Sequence, residues 1–172
     1  MKHDNKHNHQ VIIRKAKHGD MDQVWNVFQP VVKTADTYVF DPDTPRRDLK
    51  KHWFGSNMFT YVAELDGHIV GTYILKPNQI DLGSHIANGS YMVHPDAWNK
   101  GIGRQMGIHS IKEARKLGFK AMQFNMVIET NKAAIHLWET LGFRIIGTVP
   151  GALFYKKERY VGVHIMYKNL ES

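Results

Sequence analysis

The glycines of Val93-His94-Pro95-Asp96-Ala97-Trp98-Asn99-Lys100-Gly101-Ile102-Gly103-Arg104 carry the clearest chemical signal in the chain. An apolar, strand-like run ends at Pro95, a short polar loop follows, and a helical pattern begins at the glycines. Strand, glycine loop and helix N-terminus in that order make a cradle for phosphate. Glycine lets backbone N–H groups approach an oxyanion closely, and the helix dipole favours negative charge there by about 0.3–2 kcal/mol. Lys100 and Arg104 add cations at the same place. A lone Gly-x-Gly pair also fits an ordinary turn, because glycine is the default residue at positive φ.

About thirty residues on stands a second element, Asn131-Lys-Ala-Ala-Ile-His-Leu-Trp138-Glu-Thr-Leu-Gly142-Phe143. Together the two elements resemble the GNAT superfamily of acetyl-CoA-dependent N-acetyltransferases. The first matches the family's pyrophosphate loop, Arg/Gln-x-x-Gly-x-Gly/Ala, and the second its Asn…Ala…Leu-Tyr…Gly-Phe signature. The resemblance runs from about Val11 to Leu170. It departs at Trp98, where the loop usually has Arg or Gln, and at Trp138, where the usual residue is Tyr.

The resemblance implies acetyl-CoA as cosubstrate. Lys100, Gly101, Ile102, Gly103 and Arg104 would hold its pyrophosphate. Backbone groups of Met92 and Val93 would meet the pantetheine arm and the thioester carbonyl, where an N–H stabilises a developing oxyanion. Asn131, Ala134 and Trp138 would line the arm from the second element. Asn131 is equally a favoured helix N-cap, and Trp138 shares a helix face with Ala134, Ile135 and Leu141 that also suits core packing. The family's tyrosine at position 138 is often assigned to protonate the departing thiolate. An indole N–H donates a hydrogen bond but releases no proton at useful pH, so that role has no holder here.

Asn88 and Asn125 fall on the two strands expected to flank the cofactor, and asparagine is depleted in strands. With Thr37 and Tyr38 in a loop above, they outline a pocket for a small substrate. The arrangement resembles the proline-analogue N-acetyltransferases, whose asparagines at matching positions hold substrate or its attacking water; Asn125 is a catalytic candidate on that basis, and Asn131, beside the cofactor arm by family analogy, is the other. A satisfied polar pair in a sheet explains the two strand asparagines equally well. His85, His94 and His109 lie near the motifs, but none is marked as a general base.

These groups need a scaffold, and its elements follow from periodicity. Val11 to Ala16 reads as a strand, and Asp20 as the cap of a helix toward Val32. Residues 34–44 are turn-rich, and a short helix opens near Pro45 and reaches Phe54. Phe59 to Glu64 and His68 to Leu75 flank Leu65-Asp66-Gly67, an Asp-Gly hairpin signal. His85 to His94 is a strand. Ile102 to Leu117 is a helix with Ile102, Met106, Ile111, Ala114 and Leu117 on one arc, and Gly107 within that arc suggests close approach to a sheet. In the strand Ala121 to Ile128, alternation places Met122, Phe124, Met126 and Ile128 on one face and Gln123, Asn125 and Val127 on the other. A helix runs from Asn131 to Leu141, and Arg144 to Val149 and Tyr160 to Tyr167 supply the last strands. The alternation makes the fold α/β (α+β) with a mixed sheet. The resemblance sharpens this to a GNAT-like, mostly antiparallel sheet of seven strands, splayed between the fourth and fifth, with helices on both faces.

The 172 residues suit one domain over 11–172 behind a short, polar, flexible arm at 1–10. The absence of cysteine excludes a disulfide framework, thiolate metal sites and a cysteine acyl-enzyme, and fits a cytoplasmic setting. No apolar run approaches the roughly 20 residues of a membrane span. The formal net charge of +7 is scattered, which favours a soluble surface over nucleic-acid binding. His3, His7 and His9 suggest no fixed metal geometry, so no metal is expected. The expected partner is a small-molecule amine, with no nucleic acid and no membrane; a homodimer is open. Alternatives are a peptide or protein acceptor, or a non-catalytic module binding coenzyme A or nucleic acid.

Overall fold

The computed structural model describes residues 10–171, so residues 1–9 of the arm, with its histidines, lie outside the described residues. Seven strands form one sheet: β1 (Ile12–Lys15), β2 (Phe59–Leu65), β3 (His68–Pro77), β4 (Ile86–Val93), β5 (Ala121–Ile128), β6 (Arg144–Tyr155) and β7 (Arg159–Asn169). Their spatial order is β1-β2-β3-β4-β5-β7-β6, and every neighbouring pair is antiparallel except β4 and β5. This is the mixed, mostly antiparallel sheet expected.

The helices α1 (Met21–Lys33) and α2 (Leu49–Trp53) cover one face, and α3 (Ile102–Lys116) and α4 (Lys132–Thr140) contribute to the core on the other. In α1 the buried Val24, Val27, Phe28, Val31 and Val32 recur at helical spacing and pack with Trp53, Val62, Ile74 and Met92. Ile102, Met106, Ile111 and Ala114 of α3 are buried as their common arc requires, whereas Leu117 lies past the helix end and is exposed. Among the described residues, no helix is long and apolar enough to cross a membrane.

The Asp-Gly turn forms with φ of 52° at Asp66 and 79° at Gly67, which joins β2 to β3 with the twist a two-residue hairpin favours. Asp20 corrects one expectation. Its carboxylate makes no cap bond to α1 but accepts from the Lys17 N–H and from Arg14. An arginine partner outbids the helix end.

Gly107 also works differently from its expected role. A Cβ there would stand 2.5 Å from Leu141 Cδ1 and 3.0 Å from the Trp138 ring. The missing side chain therefore admits the residues of α4 and its C-terminal end, rather than a bare sheet. In β5 the expected alternation fails after Phe124. A register irregularity before Val127 leaves Asn125 and Met126 both exposed and returns Val127 to the core; a bulge shifts the face of every residue beyond it. β6 runs past Pro150 and Gly151 to Tyr155, farther than expected, because irregular pairing between Val149 and Leu153 accommodates the two breakers on an edge strand.

Candidate functional site

The splay is visible in the strand register. β4 and β5 pair only at Ile86–Ala121, Ala87–Met122 and Asn88–Gln123, and then part. The His94 N–H donates to Val70 O on β3, and the Asn78 N–H donates to Ile86 O. Because antiparallel hydrogen bonding alternates along a strand, even-numbered residues of β4 turn their peptides to β3. Gly89, Tyr91 and Val93 turn theirs to the splay. Met92 was expected to offer its backbone there; instead its peptide faces β3 and its side chain is buried under α1. Val93 keeps the expected orientation, and Tyr91 takes the place of Met92.

A cleft of about 440 Å³ follows this opening. Of the expected residues, Thr37, Tyr38, Asn88, Val93, Gly103, Asn125, Asn131, Ala134 and Trp138 line it. Gly101 adopts φ 74°, the left-handed conformation that glycine supplies, and starts α3 with no side-chain cap. The first N–H groups of this 15-residue helix, those of Ile102, Gly103 and Arg104, have no carbonyl one turn earlier to bond. They are free to meet an anion at the mouth of the cleft, as helix N-termini can. The Ile102 side chain is buried in the core, while Lys100 and Arg104 are exposed beside the loop.

The second element caps itself. Asn131 Oδ1 accepts from the Ala134 N–H at 3.0 Å, so the N-cap reading holds, and its amide group still borders the cleft. Trp138 is 7% exposed, with ring centroids of Tyr91 and Phe124 each 4.6 Å away. It is both core and cleft wall. The Tyr91 hydroxyl shares a 2.7 Å hydrogen bond with Ser110, and burial pushes its ionisation up, so it is no ready proton donor.

Four amides gather where the splay closes. Asn78 Oδ1 accepts from Asn125 Nδ2 at 2.8 Å and from Asn88 Nδ2 at 3.3 Å. Asn88 Nδ2 also donates to Gln123 O at 3.2 Å, and Gln123 Nε2 donates to Asn125 Oδ1 at 2.9 Å. Asn88 thus commits both amide hydrogens within the protein, whereas Asn125 keeps one. Thr37 likewise commits its hydroxyl within the protein, donating to Asp36 at 2.7 Å. A second cavity of about 560 Å³ adjoins the cleft, and Lys76, Asn88 and Asn125 line both. Lys76 is half-buried and has no carboxylate at ion-pair distance among the described residues.

Sequence reasoning missed Lys76, Asn78 and Tyr91 as site residues and gave Trp98 no role. The Trp98 indole donates to Val93 O at 2.9 Å, closing one β4 carbonyl at the splay. A period-2 reading of β3 and β4 reveals which residues share a face, but not that Lys76 lies opposite Asn88. None of the three histidines considered as a base lines either cavity. His85 Nδ1 lies 3.1 Å from Leu82 O, His94 Nδ1 accepts from the Asp96 N–H, and His109 Nδ1 lies 2.7 Å from the Tyr73 hydroxyl beneath α3.

A splayed parallel pair leading from an uncapped helix N-terminus is the architecture that the GNAT resemblance implies. Residues 25–143 match the acetyltransferase (GNAT) family, and the chain belongs to it. It is similar to a solved GCN5-related N-acetyltransferase from Kribbella flavida, with 36% identity, coverage of 92% of this chain and 97% of that one, and a TM-score of 0.86. It is 39% identical over 105 residues to N-acetyltransferase aca1 of Schizosaccharomyces pombe, a match covering 60% of this chain and 50% of that protein. The L-amino acid N-acyltransferase MnaT of Escherichia coli is 27% identical over 143 residues, covering 80% of this chain and 82% of MnaT.

Proposed function

We propose that this protein transfers the acetyl group of acetyl-CoA to a primary or secondary amine of a small, amino-acid-like molecule, by direct attack in a ternary complex. The observation that carries this reading is a pair of adjoining openings. They run from the uncapped N-terminus of α3, along the splay-facing edge of β4, to a cavity bordered by Lys76, Asn78 and Asn125. Phosphates suit the first end and a carboxylate suits the second. MnaT, named for action on L-amino acids, supports the same class of acceptor.

In this reading the pyrophosphate rests on the N–H groups of Gly101, Ile102, Gly103 and Arg104. The pantetheine arm passes between Val93 and the Asn131, Ala134 and Trp138 face of α4. Val93 lies nearer the glycine loop and Tyr91 deeper in the splay, so the arm meets Val93 and the thioester carbonyl reaches the Tyr91 N–H. The acceptor's carboxylate pairs with Lys76, and the remaining Asn125 N–H orients it. The neutral amine attacks the thioester carbon, the oxyanion collapses with cleavage of the C–S bond, and coenzyme A leaves as the thiolate; the proton lost by the amine nitrogen passes to water, which can in turn protonate the thiolate.

Calorimetry with acetyl-CoA, followed by an acceptor screen of amino acids, polyamines, aminoglycosides and peptides, tests the proposal. Turnover of an amino acid or a proline-like amine is expected. Activity on peptides alone would discard the small-molecule acceptor, and absence of acetyl-CoA binding at millimolar concentration would discard the enzyme reading.

A further inference from the structure

Tyr38 does more than border the cleft. Its hydroxyl donates to Tyr91 O at 2.5 Å and accepts from the Tyr91 N–H at 2.8 Å, so one side chain takes both backbone groups of a single β4 residue. Tyr91 is the splay-facing residue two positions inward from Val93, and the splay has removed the strand that would otherwise bond it. The ring is braced by Phe40, stacked with centroids 5.9 Å apart, and by Trp53 at 6.2 Å. The loop carrying it is tied down from across the splay. The Lys156 N–H, in the β6–β7 turn, donates to Ala35 O at 2.7 Å, and Lys156 Nζ lies 3.6 Å from Asp36. The contact is therefore held by packing on one side and by the hairpin on the other.

We infer that Tyr38 is a positioning residue that makes the site distinguish acetyl-CoA from coenzyme A, by holding the Tyr91 N–H that the acetyl carbonyl must take. The inference rests on the donor reading proposed above. A thioester carbonyl reaches this N–H only by displacing the Tyr38 hydroxyl, and a buried N–H left unpaired is costly. Once the acetyl group has been transferred, the hydroxyl returns and satisfies the amide. Coenzyme A has no acetyl carbonyl and leaves the Tyr38–Tyr91 contact intact. The Tyr91 N–H exchanges the Tyr38 oxygen for the acetyl oxygen while the hydroxyl keeps its own donation to Tyr91 O, and no proton moves.

The test compares acetyl-CoA and coenzyme A binding to the wild-type protein and to Tyr38→Phe by calorimetry. The phenyl ring keeps the packing and removes the competing oxygen. Acetyl-CoA is expected to bind about three- to tenfold more tightly to the variant, the range for one net hydrogen bond, with coenzyme A changed less than about twofold. A second measurement needs no variant in the binding assay: with ¹⁵N-tyrosine labelling and Tyr91→Phe used only for assignment, acetyl-CoA should shift the Tyr91 amide resonance and coenzyme A should leave it nearly in place. Equal changes in both affinities, or equal shifts with both ligands, would overturn the role of Tyr38 while the donor site stood. If neither ligand binds the wild-type protein, the donor reading itself falls.

Discussion

Gly103 separates folding from binding in one substitution. A Cβ built there lies 3.6 Å from Leu137 Cδ2 and 4.0 Å from Val93 Cγ2, which is ordinary contact, and the residue sits in the first turn of α3. Gly103→Ala should therefore remove unfolded-chain entropy without strain, a gain of about 0.4–1 kcal/mol. For a chain of this size, about 1 kcal/mol moves Tm by roughly 2–4 °C, so Tm should rise by about 1–4 °C. The same methyl group would stand in the cleft, where phosphate oxygens must approach the N–H groups of the helix end. Hydrogen bonds to a charged group contribute about 1.5–3 kcal/mol each. Losing one should weaken acetyl-CoA binding about ten- to hundredfold, at roughly 1.4 kcal/mol per decade. Thermal melts without ligand and calorimetry with acetyl-CoA read the two effects separately. Gly101→Ala is the contrast, because φ 74° at that residue makes alanine strained and Tm should fall. A Gly103→Ala protein with a raised Tm and unchanged affinity would place the phosphates elsewhere. A Tm lowered by several degrees would refute the claim that the site has room.

Other outcomes follow from the same geometry. Lys76→Met should raise the acceptor KM about tenfold or more for amines bearing a carboxylate, as loss of a charged hydrogen bond predicts, and leave acetyl-CoA affinity unchanged; steady-state kinetics showing the same loss with an amine lacking the carboxylate would remove the pairing. Trp138→Phe should retain most of its turnover, with any loss tracking stability, since the indole is no acid; a drop of several hundredfold in kcat with folding and cofactor affinity intact would show that its N–H matters to the reaction. Burial holds His109 below the usual histidine range. As pH falls below about 6.5, the unfolded chain takes up a proton that the folded chain resists, so stability should decline from there until the folded value is passed. Urea unfolding at pH 7.5 and 5.5 should show a smaller decline for His109→Gln than for the wild-type protein, and equal declines would assign the effect to other groups.

Much of the donor half of the site was legible in the chain itself, because its signals are local. Positive φ at Gly101, the apolar arc of α3 and the Asn131 cap each depend on residues within about one helical turn, where sequence spacing is spatial spacing. The Asp-Gly hairpin is of the same kind. The acceptor half is not local. Asn78 meets Asn125 across 47 residues, and on the donor side Tyr38 likewise meets Tyr91 across 53, through contacts that exist only once strand register is set.

Local sequence patterns and the family resemblance were enough to expect a mixed sheet, a glycine-led helix N-terminus and two strand asparagines beside a pocket. Tertiary structure decided how those groups are used. The bulge in β5 broke the alternation that placed Met126 on one face with Met122 and Phe124, and pairing with β3 turned the Met92 peptide away from the splay and left that of Tyr91 facing it. Lys76 came to the junction of two cavities only because β3 and β4 align it with Asn88. A strand's sequence specifies which side chains share a face, but a one-residue change in pairing reverses what that face meets. Register is settled by the packing of the whole sheet against its helices, and the partners of these groups were settled with it.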